Sequence, residues 1–202
     1  MNRALALSRR AVEFEIAGWR SLGRWVLRRP DVAPGDTPFA YHGPMLAPMV
    51  VMTLLSVLEI VAVDLLLPWQ WLRPALLVLG IWGTVLMLGI LAGVLVHPHA
   101  VGPAGLRVRH GAGLDVRIPW DAIAAVRRAR RGGDGQGMQL DGAVLHVVVS
   151  GQTTVEVVLR RPVAVTLPGR RTVDIGELRF HADDPAALVA ATRARVEAAE
   201  AR

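Results

Sequence analysis

Cysteine is missing from all 202 residues, which excludes disulfides, thiolate nucleophiles and cysteine-ligated zinc or iron–sulfur centres. Lysine is missing as well, so the 23 basic side chains are all arginine; with abundant Ala, Val, Gly and Pro, this is the composition a GC-rich bacterial genome encodes. Catalytic signatures are scarce. The glycine-rich GGDGQG lacks the Lys-Ser/Thr ending and following helix of a phosphate-binding loop, and neither Ser56 nor Ser150 lies in a nucleophile elbow. Asp183 and Asp184 read as a helix cap, and His146, inside an apolar strand, as a core or face residue rather than a base. The expectation is a protein that is not an enzyme and carries no cofactor.

Long apolar runs are missing from three quarters of the chain, and one quarter holds them all. Two segments, 45–67 and 74–96, flank the turn PWQWLRP. A hydrocarbon core about 30 Å thick needs about 20 helical residues at about 1.5 Å rise each, and both segments supply them. They predict a transmembrane hairpin. Only Arg73 lies in its turn, whereas seven arginines precede the hairpin and many follow it, so the positive-inside rule puts both termini in the cytoplasm of a multi-pass protein in a bacterial inner membrane. Trp69 and Trp71 in the turn, and Phe39, Tyr41 and His42 ahead of the first helix, read as interfacial belts.

Two acids interrupt the first apolar segment. Asp64 is within a turn of the helix end and can reach Arg73. Glu59 is about two turns deeper, where an unpaired carboxylate costs about 2–3 kcal/mol or more, so it must be protonated, paired or facing protein. Equal helix depths set it near Trp82, Gly83 and Thr84. It reads either as a carboxyl that fixes helix packing or as the centre of a small oligomeric transport or channel subunit. Gly89 and Gly93 form a small-xxx-small pair that permits close helix approach and fits a homo-oligomer. His97 and His99 join His42 at one interface, but no acid accompanies them at ligand spacing, so they read as polar interfacial residues rather than metal ligands.

Before the hairpin, residues 1–29 read as an amphipathic cytoplasmic helix, with Leu5, Val12, Ile16, Trp19 and Val26 on one side and Arg9, Glu13, Arg20, Arg24 and Arg28 on the other. No uninterrupted apolar stretch precedes a small-residue cleavage site, which argues against a signal peptide. Such a helix is expected in the headgroup region, apolar face down; the alternative is packing on the protein's own cytoplasmic domain. The prolines of residues 30–44 exclude a helix and disfavour a central strand, so this segment reads as a linker.

After the hairpin the period falls to two. GLRVRHG and LDVRIP form a hairpin of half-buried strands, AVLHVVVS and TTVEVVLRRPVAV are β-branched strands joined by SGQT, and RTVDIGELRF is another. A helix from Pro185 to about Ala199, capped by Asp183 or Asp184, shows Leu188, Ala191, Thr192 and Val196 at helical spacing. The fold class is thus an α+β membrane protein, its residues 100–202 an antiparallel β-barrel or sandwich closed by the C-terminal helix. Arg127, Arg128, Arg130 and Arg131 sit at the edge of a Gly-rich loop, either as a polybasic contact with anionic lipid headgroups or as a solvated loop edge. No aromatics interleave with them and the domain's acids nearly balance its bases, which argues against nucleic acid.

With its two apolar segments followed by GLRVRHG and then IPWDAIAAV, the chain from Met45 to about Ala191 resembles bacterial pleckstrin-homology-like membrane proteins. The resemblance implies a pleckstrin-like binding module without catalysis. Where such domains bind lipid headgroups, basic residues of the first hairpin do so, and Arg107, Arg109 and Arg117 occupy comparable positions. The expected function is a membrane-anchored interaction module that binds a protein partner or lipid headgroups.

Overall fold

The computed structural model describes the backbone of residues 2–132, 135, 137–169 and 171–201, and side chains from Ser8 onward within these ranges except Arg9 and Arg10. The side chains of Leu5 and Arg9 of the expected amphipathic pattern, and all of Gly133, Asp134 and Gln136 of the Gly-rich loop, lie outside that description. Three helices come first in the chain, α1 (Asn2–Val26), α2 (Gly43–Leu66) and α3 (Arg73–Val96). α2 and α3 are long and apolar enough to cross a membrane. Each begins with a proline in its first turn, Pro44 and Pro74, where a missing N–H leaves no hydrogen bond unmade.

α3 is the middle helix, packed on α1 along one side and on α2 along another. Glycines set both contacts. A Cβ on Gly80 would lie 2.9 Å from Cγ1 of Ile60 in α2, and a Cβ on Gly89 would lie 3.3 Å from the Cα of Gly18 in α1. The small pair Gly89 and Gly93, expected to serve self-association, is buried by α1, with Gly18 over Gly89 and Ser21 beside Gly93.

At 3.6 residues per turn α1 has three sectors rather than the expected two. Gly18, Ser21 and Leu22 face α3, while Arg20 and Arg24 define a basic side. The expected apolar stripe of Val12, Ile16, Trp19 and Val26 remains exposed. The small sector takes the packed position because two backbones approach closely only where side chains are short.

The remaining elements form two sheets and a helix. Strands β1 (Thr37–Phe39), β2 (His99–Gly102), β3 (Gly105–His110) and β4 (Leu114–Ile118) lie in that order. Strands β5 (Ile123–Gly132), β6 (Gly137–Asp141), β7 (Val144–Val148), β8 (Gln152–Leu167) and β9 (Arg171–Phe180) are ordered β5-β8-β9-β7-β6. The core between the sheets includes Leu106, Ile118, Leu145, Val157, Leu178 and Phe180. α4 (Pro185–Glu200) covers it with Leu188, Val189 and Thr192, and Asp184 accepts the Ala187 N–H at 2.9 Å as its N-cap.

Two expectations are corrected and one pair of alternatives is decided. The segment expected as a linker supplies β1, whose Pro38 pairs with Ala100; as an edge strand it tolerates a residue without an N–H. β1 also carries Phe39 against the core and leads Tyr41 to complete burial, so neither belongs to an exposed aromatic belt. Next, of the barrel and the sandwich expected as alternatives, the two separate sheets give the sandwich. Finally, β7 and β9 are parallel, with Leu145 opposite Leu178. The SGQT turn does reverse the chain, with φ of 49° at Ser150 and 73° at Gly151, but beyond the Val149–Gln152 bridge β7 and β8 part. β9 then returns from β8 and fills the space between them, and two reversals make it parallel to β7.

Candidate functional site

The chain's helices and its sandwich meet at a network of ion pairs built on Asp31, a residue of the proline-rich segment. Its N–H donates to the Val96 carbonyl at 2.8 Å, anchoring it to the end of α3. Arg24 of α1 reaches its carboxylate at 2.8 Å, and Arg109 of β3 donates to both its carbonyl, at 2.7 Å, and its carboxylate. Burial works to raise the Asp31 pKa, but the hydrogen bonds and charges of Arg24 and Arg109 outweigh it and hold the group down to about 2. Asp31 therefore ties α1, α3 and β3 together.

This fixes the status of the hairpin arginines singled out in the sequence. Arg109 is buried, its side chain only 2% exposed, and committed to Asp31. Arg107 donates to both oxygens of Asp115 at 2.7 and 2.6 Å. Arg117 is the most exposed of the three, at 69%, and lies 3.7 Å from Asp115. Two of the three arginines thus hold the fold at the junction.

Beside this network lies a buried aromatic and histidine cluster. Tyr41 stacks on His99 at 4.6 Å between ring centres, and His99 meets the edge of Phe180 at 5.0 Å. The Tyr41 hydroxyl accepts the Gly111 N–H at 2.7 Å, and burial pushes its pKa up to about 12. Nδ1 of His99 accepts the Arg109 N–H at 3.0 Å, so Nε2 carries the proton and donates it to the His181 carbonyl at 2.8 Å. Protonating Nδ1 would set two donors against each other. Burial lowers the pKa of His99 to about 3, and burial also lowers His110 and His181.

The other end of the junction is Asp183. Both its oxygens accept the Gly43 N–H, at 3.1 and 3.0 Å, at the start of α2, and its own N–H donates to Ala40. A carboxylate is favoured at a helix N-terminus by the unpaired N–H groups there. Adjacent acids that read as one cap thus serve two helices, Asp184 capping α4 and Asp183 holding α2.

A pH dependence follows from these histidines. The unfolded chain protonates its histidines near 6.5, whereas folded His99 stays neutral down to about 3, so the unfolded state binds more protons in that interval. Stability is full above about pH 6.5 and falls as pH drops, by about 1.4 kcal/mol per pH unit from His99 alone. Asp31 adds its own loss only below about pH 4, because its folded pKa is depressed. Thermal unfolding of the detergent-purified protein at pH 7.5 and pH 5 should show a clear drop, and His99→Gln should flatten the slope. A melting temperature constant over this range would contradict the account.

The polybasic run lies in β5 itself. Strand alternation and the register shift between Arg128 and Arg131 divide it. Arg127 and Arg131 turn to Glu156 of β8, whose carboxylate is buried; Arg127 Nε donates at 2.6 Å and Arg131 Nη2 at 3.1 Å, with Arg179 Nε of β9 at 3.4 Å. Burial works to raise the Glu156 pKa, and the arginine hydrogen bonds lower it further than burial raises it. Register extends this into a polar row across the five-stranded sheet, Arg127, Glu156, Arg179, His146 and Gln139 lying directly opposite one another on successive strands. His146 is therefore a face residue. Arg128 and Arg130 are exposed and have no acidic partner among the described residues.

In the hairpin, Asp64 and Arg73 form the expected pair, with Nε donating at 2.9 Å. Glu59 does not meet Trp82. The indole donates instead to Glu15 of α1 at 3.2 Å, Thr84 bonds back to the Gly80 carbonyl, and Glu59 stands exposed on α2 with no partner among the described residues. The three interfacial histidines separate: His97 donates to the Gly93 carbonyl at 2.8 Å, His99 enters the buried cluster, and His42 precedes α2. Sequence reasoning passed over Asp31, Glu156 and the role of Asp183. Only the count of acids among so many arginines pointed to them, since each partner is 25 or more residues away or lies in another element.

Comparison of the chain with models of protein families, with curated proteins and with solved structures finds no match.

Proposed function

We propose that the protein is a non-catalytic binding module anchored in a bacterial inner membrane by α2 and α3, both termini cytoplasmic, with its pleckstrin-like sandwich held at the inner leaflet to engage anionic lipid headgroups. The exposed side chains of α2 and α3, among them Leu54, Leu58, Leu65, Val78 and Ile81, support the anchor, and the exposed Trp69 and Trp71 support an interfacial turn at its far end. The exposed stripe of α1 adds a further apolar surface, whose Trp19 lines one recess with Trp82 of α3.

One observation carries the lipid reading. Gly137, at the start of β6, and Ser150, at the β7–β8 turn, line a cavity with Met52 of α2 and Met87 of α3. The end of β5 is joined to β6 by only four residues, which supports a position for Arg128 and Arg130 on the side of the sandwich that faces the start of α2 and the end of α3, near headgroup level. Each arginine near an anionic surface contributes about 1 kcal/mol. Because Asp31 and Asp183 brace the sandwich on the helices, this position is not left to a flexible tether.

The test is native mass spectrometry of the full-length protein equilibrated with equal phosphatidylglycerol and phosphatidylcholine. Wild type should retain the anionic lipid preferentially, and R128Q/R130Q should lose about 2 kcal/mol of that preference, roughly 30-fold. Raising the salt to 1 M should do the same. Equal retention of both lipids by the wild type defeats the reading.

A second reading, the oligomeric transport subunit, draws on the unpartnered Glu59. With Gly89 and Gly93 taken by α1, the outer face of α2 is where another copy would cover it. The same spectra report the subunit count, and a monomer in every lipid removes this reading.

A further inference from the structure

Four of the chain's six methionines line one cavity of about 310 Å³ between the helices and the sandwich. Met45, Met49 and Met52 recur on one face of α2 at helical spacing, and Met87 faces them from α3. His110, the last residue of β3, is on the same wall, and its buried Nδ1 has no hydrogen-bond partner among the described residues. Among the described residues, Ser150 is the remaining polar side chain there and no carboxylate lines the cavity.

A thioether is a weak hydrogen-bond acceptor and a poor ligand for hard ions, yet a good donor to soft ones. A lining without carboxylates among the described residues disfavours calcium, magnesium and manganese, and the neutral thioether and imidazole donors match a singly charged cation better than a doubly charged one. An orphaned buried imidazole nitrogen completes a sulfur-rich set with one nitrogen donor. A buried polar atom in a native structure has a partner in the great majority of cases, so the orphan at this wall calls for one. Unbranched methionines with three rotatable bonds can close on a small ion in a cavity larger than the ion itself.

We propose that this cavity is a binding site for a soft monovalent metal ion, Cu(I) or its redox-inert analogue Ag(I), held by thioethers from Met45, Met49, Met52 and Met87 and by the imidazole of His110. The ion joins α2, α3 and β3 at the junction. Its binding needs no electron transfer, since the ion enters and stays as the monovalent cation.

The test uses full-length protein in detergent, titrated with Ag(I) by calorimetry and with Cu(I) under anaerobic competition against a chromophoric chelator. The expected result is one equivalent bound, with sulfur scattering around the metal in X-ray absorption. M49L/M87L keeps the volume of the cavity and should weaken binding at least about tenfold while leaving the melting temperature of the metal-free protein nearly unchanged. H110N should weaken it as well. Met138→Leu, which packs against the sandwich core, should leave it unaltered. The proposal is overturned if wild type shows no stoichiometric uptake, if M49L/M87L binds as wild type does, or if the cavity proves to be filled by an acyl chain with no metal.

Discussion

Asp31→Ala should cost about 3–5 kcal/mol, because it strips the charge partner from a guanidinium that has almost no contact with water. Arg109 would keep the residue-31 carbonyl and an Asp115 oxygen 3.9 Å away, neither a substitute for the lost carboxylate. Arg109→Met should cost much less. Its side chain fills similar space without charge, and the Asp31 carboxylate left behind is about one-third exposed and still paired with Arg24. The asymmetry is the diagnostic, read as thermal unfolding in detergent together with protease cleavage of residues 30–44, which Asp31→Ala should expose. Equal losses from the two variants would mean that the pair contributes shape and not charge compensation.

Gly89→Leu should dislodge α1. Its Cβ alone would press on Gly18 backbone atoms at 3.3–3.4 Å, and backbone cannot swing aside, so the remaining side chain must force the helices apart. Two neighbours in the same helix grade the effect. At Gly80 the nearest atom is Cγ1 of the Ile60 side chain at 2.9 Å, which must shift but is not backbone, and at Gly83 nothing lies within 4 Å. Leucine should thus be severe at 89, intermediate at 80 and near neutral at 83, the worst case losing about 1–3 kcal/mol. Protease susceptibility of α1 and the melting temperature should fall into that order. If Gly83→Leu matched Gly89→Leu, the loss would come from α3 itself and not from the seat of α1.

How much of this was legible differs from element to element. The two apolar helices, the Asp64–Arg73 pair across their turn and the cap of α4 are local in sequence, and composition or spacing reveals each one. The seat of α1 was hidden because hydrophobic periodicity marks apolar stripes, and the packed sector is made of Gly18, Ser21 and Leu22. Lipid and protein reward different faces of one helix: the first favours area, the second close approach. The arginines of β5 show the same limit. As a run of letters they form one basic patch, but strand alternation and the register shift after Arg128 bring Arg127 and Arg131 to Glu156 and leave Arg128 and Arg130 exposed.

By itself, then, the sequence determined what depends on length, period and nearest neighbours: an apolar hairpin, β-rich segments after it, a final capped helix, and no thiol chemistry. Tertiary structure alone decided which charges are spent on the fold, which remain free, and how the sandwich is braced to its helices. Asp31 meets Arg109 across 78 residues, and Asp183 meets Gly43 across 140. A buried charge must find a partner wherever the chain brings one, and nothing in the local pattern records the distance along the sequence at which that partner stands.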